Sequence, residues 1–167
     1  PTFLLDWKSV AKTDAASKRE RIGSFVLSSQ NQMFANEFQA QLRQSRDYKN
    51  ESCFNINSKN LSPLDWIKCI SALRFVITDS FHGTVFCMIT NTPFITILWQ
   101  GARASRNDRI VSLLEEFGLE YRAVSSDATQ SLDLIQKGII NWDTINSKLI
   151  EVRKQGHSFL SESVGLH

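Results

Sequence analysis

Little in these 167 residues points to an oxidising compartment, a membrane or a metal. Only three cysteines are present, Cys53, Cys69 and Cys87, odd in number, far apart and set among apolar neighbours. That pattern argues against a disulfide framework and predicts buried thiols in a reducing compartment, with the cytoplasm as the expected location. The three histidines, His82, His157 and His167, lack metal-ligand spacing, so neither a metal nor a cofactor is expected. No apolar run approaches the roughly 20 residues of a membrane span. Charge of one sign is missing too: 19 basic residues offset 17 acidic ones, leaving a net charge of +2. Nucleic-acid binders carry a clustered basic stripe, and no nucleic-acid partner is expected. The run Lys18-Arg19-Glu20-Arg21 reads as a solvated lead-in to a strand. There is no internal repeat and no low-complexity tract. An initiator Met is also lacking, and the opening Pro1-Thr2-Phe3-Leu4-Leu5 is too soon interrupted by Asp6 and Lys8 to be a signal segment. The expectation is a piece of a longer protein.

What is present is an ordinary globular composition, 42% apolar and 22% charged. The length suits one domain with a real core and is small for a two-domain enzyme. Strand-like and helix-like segments alternate, the signature of βαβ units around a mostly parallel sheet. Residues 1–20 read as a lead-in. Strands are predicted at Ile22–Ser28, Cys53–Ile56, Arg74–Thr78 (central in the sheet), Pro93–Leu98 and, briefly, Tyr121–Val124. Phe34, Phe38 and Leu42 recur every fourth residue and mark a helix over Asn31–Gln44. Ser62 as cap, Pro63 in the first helical position and Asp65 at the positive end of the dipole announce a second helix. Its apolar face is Trp66, Ile67, Ile70 and Leu73. Asp79–Thr84 reads as a turn, Val85–Thr90 as a short apolar helix and Trp99–Asn107 as a loop. Ile110, Leu113, Leu114 and Phe117 define another helix, stopped by Gly118. Ser125–Ser131 is polar linker. A final helix carries Trp142, Ile145, Leu149 and Val152 on one side, from Trp142 to Lys154 within a helical segment 141–160.

The segment richest in chemistry is Thr78-Asp79-Ser80-Phe81-His82-Gly83-Thr84, fed by an apolar strand and left by an apolar helix. In an open α/β sheet, ligands bind beyond the carboxyl ends of strands, where helix N-termini present unpaired amides to phosphate or carboxylate. Asp79 lies in this turn, Gly83 would let backbone approach a ligand, and Ser80 and Thr84 add hydroxyl donors. His82 suits proton donation or anion pairing, since only imidazole among these side chains ordinarily titrates near neutrality. The plain alternative is that Asp79 and Ser80 cap a core helix and His82 is a structural histidine. Arg103, Arg106 and Arg109 lie before and within the first turn of the Ile110 helix, where cations oppose the dipole and Asp108 offsets only part of their charge. A nearby anion would resolve that conflict; three solvated arginines on a surface loop are the alternative.

The stretch from Ser62 through Thr84 to Phe86, closed by Asn91-Thr92-Pro93-Phe94-Ile95, resembles the signature region of the polysaccharide pyruvyl transferase family. Arg109-Ile110 with Leu113-Leu114, Gly118-Leu119-Glu120-Tyr121-Arg122, Ser158-Phe159-Leu160 and the opening Pro1–Leu5 extend the likeness over almost the whole chain. The resemblance implies a Rossmann-like C-terminal, donor-binding half of a GT-B-type two-domain enzyme, with the N-terminal domain absent. It implies transfer of pyruvate from phosphoenolpyruvate to two hydroxyls of a glycan acceptor as a ketal. His82 corresponds to the family's motif histidine, the expected general acid or donor contact. Many members have Arg two residues before that histidine, where this chain has Ser80; the anion would then lean on backbone amides, Thr84 and Arg106 or Arg109. The rival readings are a glycosyltransferase domain binding a nucleotide sugar and a non-catalytic, family-like scaffold.

Overall fold

The computed structural model describes residues 2–10, 21–49, 51–57, 61–125, 132 and 138–164. Most of the predicted lead-in from residue 11 to 20, the linker beyond Ser125, the Arg103 side chain and His167 lie outside the described residues.

Five strands form one sheet in the order β2-β1-β3-β4-β5: β1 Arg21–Phe25, β2 Ser52–Asn55, β3 Phe75–Thr78, β4 Phe94–Ile97 and β5 Ala123–Val124. Every neighbouring pair is parallel, and the strand from Phe75 is central, as the sequence predicts. Between them run α2 Ser29–Gln44, α3 Pro63–Ser71, α4 Phe81–Ile89 and α5 Asn107–Phe117, after a short α1 Trp7–Val10 and before a final α6 Trp142–Val164.

Strands β3 and β4, apolar but for Thr78 and Thr96, are buried throughout because both faces of the sheet are covered. Side chains alternate along them. Phe75, Ile77, Ile95 and Ile97 join Phe34, Phe38 and Leu42 of α2 in one core. Val76 and Phe94 face the opposite way, into a core with Ile67 and Ile70 of α3, Val85 of α4, Leu114 of α5 and Ile145 and Leu149 of α6. Helix α2 lies on one face and α3, α4 and α5 on the other because the crossovers reverse direction between β1 and β3. Right-handed connections require that change of face. The reversal also opens a crevice at the carboxyl ends of β1 and β3.

The sequence places several boundaries differently. Strand β1 ends at Phe25 rather than Ser28, because the Leu27 and Ser28 amides leave the ladder to donate to the Asp79 carboxylate. The expected loop Trp99–Asn107 contains a 3-10 helix, Gly101–Arg106, that runs directly into α5. Glu120–Arg122 is a 3-10 turn and only Ala123–Val124 pair as strand. Helix α6 continues ten residues past Lys154 to Val164. Only Cys87 is fully buried; Cys53 and Cys69 are half-buried. None of the described helices is long and apolar enough to cross a membrane.

Candidate functional site

Three strand ends build the site, and side chains tie each to the next. Thr78, the last residue of β3, donates its hydroxyl to Phe25 O of β1 at 2.7 Å and accepts the Ser80 amide at 3.1 Å. Asp79 follows, almost wholly buried. Its carboxylate accepts from Leu27 N at 2.7 Å, Ser28 N at 3.0 Å and Asn31 Nδ2 at 3.1 Å. The Asp79 charge therefore holds the end of β1 and the start of α2 against the end of β3. From β4, the Trp99 indole N–H reaches back to donate to Asp79 O at 2.8 Å.

Chain reversal at Ser80 starts α4 four residues before the predicted Val85. Ser80 is its N-cap, in extended conformation, and its hydroxyl accepts from Gly83 N at a long 3.4 Å. Thr84 N bonds to Ser80 O at 2.9 Å. The amides of Phe81 and His82, first in the helix, have no acceptor within it. They open at the positive end of the helix dipole.

Beyond this helix mouth lies a cleft of about 490 Å³. It brings together Asp79, Ser80, His82, Arg106 and Arg109 of the residues singled out in the sequence. His82 is exposed, its ring set edge-on to Phe81 at 5.8 Å between centroids. The Arg109 guanidinium lies 4.3 Å from the centroid of the Phe81 ring, and that of Arg106 lies 5.7 Å from the Trp99 ring. Neither arginine has a carboxylate within 4.0 Å among the described residues, whose ion pairs join Arg74 to Glu51 and Arg153 to Asp6. Two cations thus stand at an open helix N-terminus without an acidic partner among the described residues, each set over an aromatic face.

Two of the expected residues lie elsewhere. The Thr84 hydroxyl is fully buried between Ser80 O at 3.1 Å and Thr96 Oγ1 at 2.8 Å, on the side facing the sheet. Gly83 is packed against β3: a Cβ there would meet Thr78 Oγ1 at 2.5 Å. Its missing side chain serves the contact of helix with strand. Sequence reasoning did not single out Leu27, Trp99 or Ser105, which also line the cleft. Trp99 could have been found, being the first residue beyond an apolar strand that ends on the same edge as Asp79.

The groups whose ionisation is displaced sit away from the cleft. Burial pushes up Cys87, Tyr48, Cys53 and Cys69 and lowers Arg122. Among the described residues no cluster of three or more His, Cys, Asp or Glu could hold a metal ion. The cleft can accept a small anion on amides and guanidinium groups with an imidazole beside it. A family model described as polysaccharide pyruvyl transferase matches residues 1–101. No curated protein and no solved structure matches the chain.

Proposed function

The chain belongs to the polysaccharide pyruvyl transferase family, and from that premise we propose that its cleft is the donor site for phosphoenolpyruvate. The carrying observation is the convergence of exposed His82 with Arg106 and Arg109, both without acidic partners among the described residues, at the mouth of α4. Phosphoenolpyruvate presents a phosphate and a carboxylate on a three-carbon frame, so amides and guanidinium groups can divide two anionic groups between them. With Ser80 in place of a cation beside the helix mouth, the positive charge reaches the donor from α5.

In this reading His82 delivers a proton to the methylene carbon, leaving cationic character at the carbon that bears phosphate and carboxylate. One glycan hydroxyl attacks that carbon and loses its proton. The carbon–oxygen bond to phosphate breaks, and inorganic phosphate departs. The second hydroxyl closes the ketal and gives up its proton in turn. Of the two hydroxyl protons, one restores His82 and the other leaves with phosphate. The acceptor approaches from the open side of the cleft, which in a GT-B-type arrangement a second domain would face.

Phosphate release by the full-length enzyme, given phosphoenolpyruvate and candidate glycans, tests the reading. His82→Ala should cut turnover by about a hundredfold or more, as loss of a general acid does. Unchanged turnover removes His82 from the chemistry. Thermal stabilisation by a nucleotide sugar and not by phosphoenolpyruvate would favour a glycosyltransferase donor domain instead. Absence of phosphate release with every glycan would favour the non-catalytic scaffold.

A further inference from the structure

Trp99 is held from three directions. Its backbone N–H donates to Asn107 Oδ1 at 2.8 Å, and its carbonyl accepts from Asn107 Nδ2 at 2.8 Å. The Asn107 side chain thereby acts as a strand neighbour and closes the excursion from 99 to 107. The indole N–H is fixed on Asp79 O at 2.8 Å, and the residue is only 8% exposed.

Arg106 sits immediately before Asn107, and its guanidinium lies 5.7 Å from the centroid of this fixed ring. The residue is exposed and stands at the N-cap of α5, where the dipole repels a cation. It has no carboxylate within 4.0 Å among the described residues. A long, solvated side chain in that position would spread over many rotamers. The negative face of the fixed indole is the group placed to restrain it.

We infer that Trp99, itself fixed by Asn107 and Asp79, is a positioning residue that holds the Arg106 guanidinium over the anion cleft. Its role acts through Arg106 and rests on the reading of the cleft as a donor site. Trp99 thus joins β4 to the site electrostatically, although its ring donates nothing to the ligand. Substitution of the ring should change how well Arg106 is ordered before any ligand is present.

The test uses nitrogen relaxation of the Arg106 Nε–H bond together with calorimetric binding of phosphoenolpyruvate, in the full chain. In the unsubstituted protein the Arg106 side-chain protons should be shifted upfield by the indole ring current. Trp99→Phe keeps a ring and should preserve the order of Nε. Trp99→Leu should lower that order and raise the Kd for phosphoenolpyruvate about threefold, the scale of one exposed cation–ring contact. With Arg106→Ala already present, Trp99→Leu should add nothing, because the two changes remove one interaction.

An equal loss of affinity in both backgrounds would overturn the inference. So would an undiminished Nε order in Trp99→Leu. Should Trp99→Leu fail to fold, absence of the ring-current shift in the unsubstituted protein overturns it independently. If Nε order falls as expected while neither Arg106→Ala nor Trp99→Leu alters phosphoenolpyruvate affinity, the positioning stands and the donor assignment of the cleft fails.

Discussion

A methyl group added to Gly83 would stand 2.5 Å from Thr78 Oγ1, and that oxygen is already committed to Phe25 O and the Ser80 amide. The neighbour has little room to yield, because Thr78 is fully buried and closes the end of β3 against β1. Gly83→Ala should therefore destabilise the protein by about 1–3 kcal/mol, as overpacking usually does, despite the better helix propensity of alanine. A urea titration should show the midpoint fall with an unchanged slope. A midpoint that rises would mean that α4 stands off the strand farther than this geometry allows. His82, one residue earlier, has the opposite character: it is exposed, and removing its ring should leave the same titration within about 0.5 kcal/mol. The two neighbours thus separate packing from chemistry within a single turn of helix.

Across the elements, the sequence was most legible where local chemistry and tertiary demand agree. Ser62, Pro63 and Asp65 are such a place: the Ser62 hydroxyl accepts from Asp65 N at 3.2 Å and donates to Asp65 Oδ2 at 2.7 Å, and α3 begins at Pro63 as predicted. Ser62→Ala should cost about 1 kcal/mol through loss of the cap. Thermal unfolding should show it as a fall in Tm of about 2–4 °C, with the cleft 81–109 undisturbed in amide exchange. The early start of α4 was hidden because Phe81-His82-Gly83-Thr84 contains poor helix formers, and what holds them helical is contact with Thr78 from another element. The 3-10 helix before α5 was obscured by the same kind of distance: Asn107 bonds to Trp99, eight residues away. Parallel pairing was readable from the alternation of strands and helices, and the apolar faces of α2, α3 and α5 because burial sets their period. Asp79, Ser80, His82, Arg106 and Arg109 line one cleft. The inward turn of Thr84 was not readable, since a hydroxyl in sequence gives no sign of whether Thr96 lies beneath it.

At the scale of the molecule, the first described residues are joined to the last helix. Arg153 of α6 donates from Nε to Phe3 O and from Nη2 to Leu5 O, both at 3.1 Å, and lies 3.9 Å from the Asp6 carboxylate. His157 Nε2 lies 3.0 Å from Leu4 O, and Leu4 itself packs where a Cβ on Gly156 would fall. Gly156 can therefore sit inside α6 without ending it, which accounts for the helix running past the predicted Lys154. The same segment sends Phe3 to within 6.1 Å of the Phe117 ring and sets Trp7 edge-on to Phe86 at 5.5 Å. Phe86 belongs to α4, so Trp7 supports from behind the helix whose mouth forms the cleft. Trp7 is partly buried against this core, and Trp7→Ala should cost about 2–3 kcal/mol, below the range for a fully enclosed aromatic. A domain of this size should then lose about 5–10 °C in Tm, and amide exchange should quicken in α4 before it does in α2, which packs on the opposite face of the sheet. An unchanged Tm would show residues 2–10 to be an appendage resting on the fold. Exchange that quickened equally on both faces would show instead that the two cores open together, with α4 drawing no separate support from this segment.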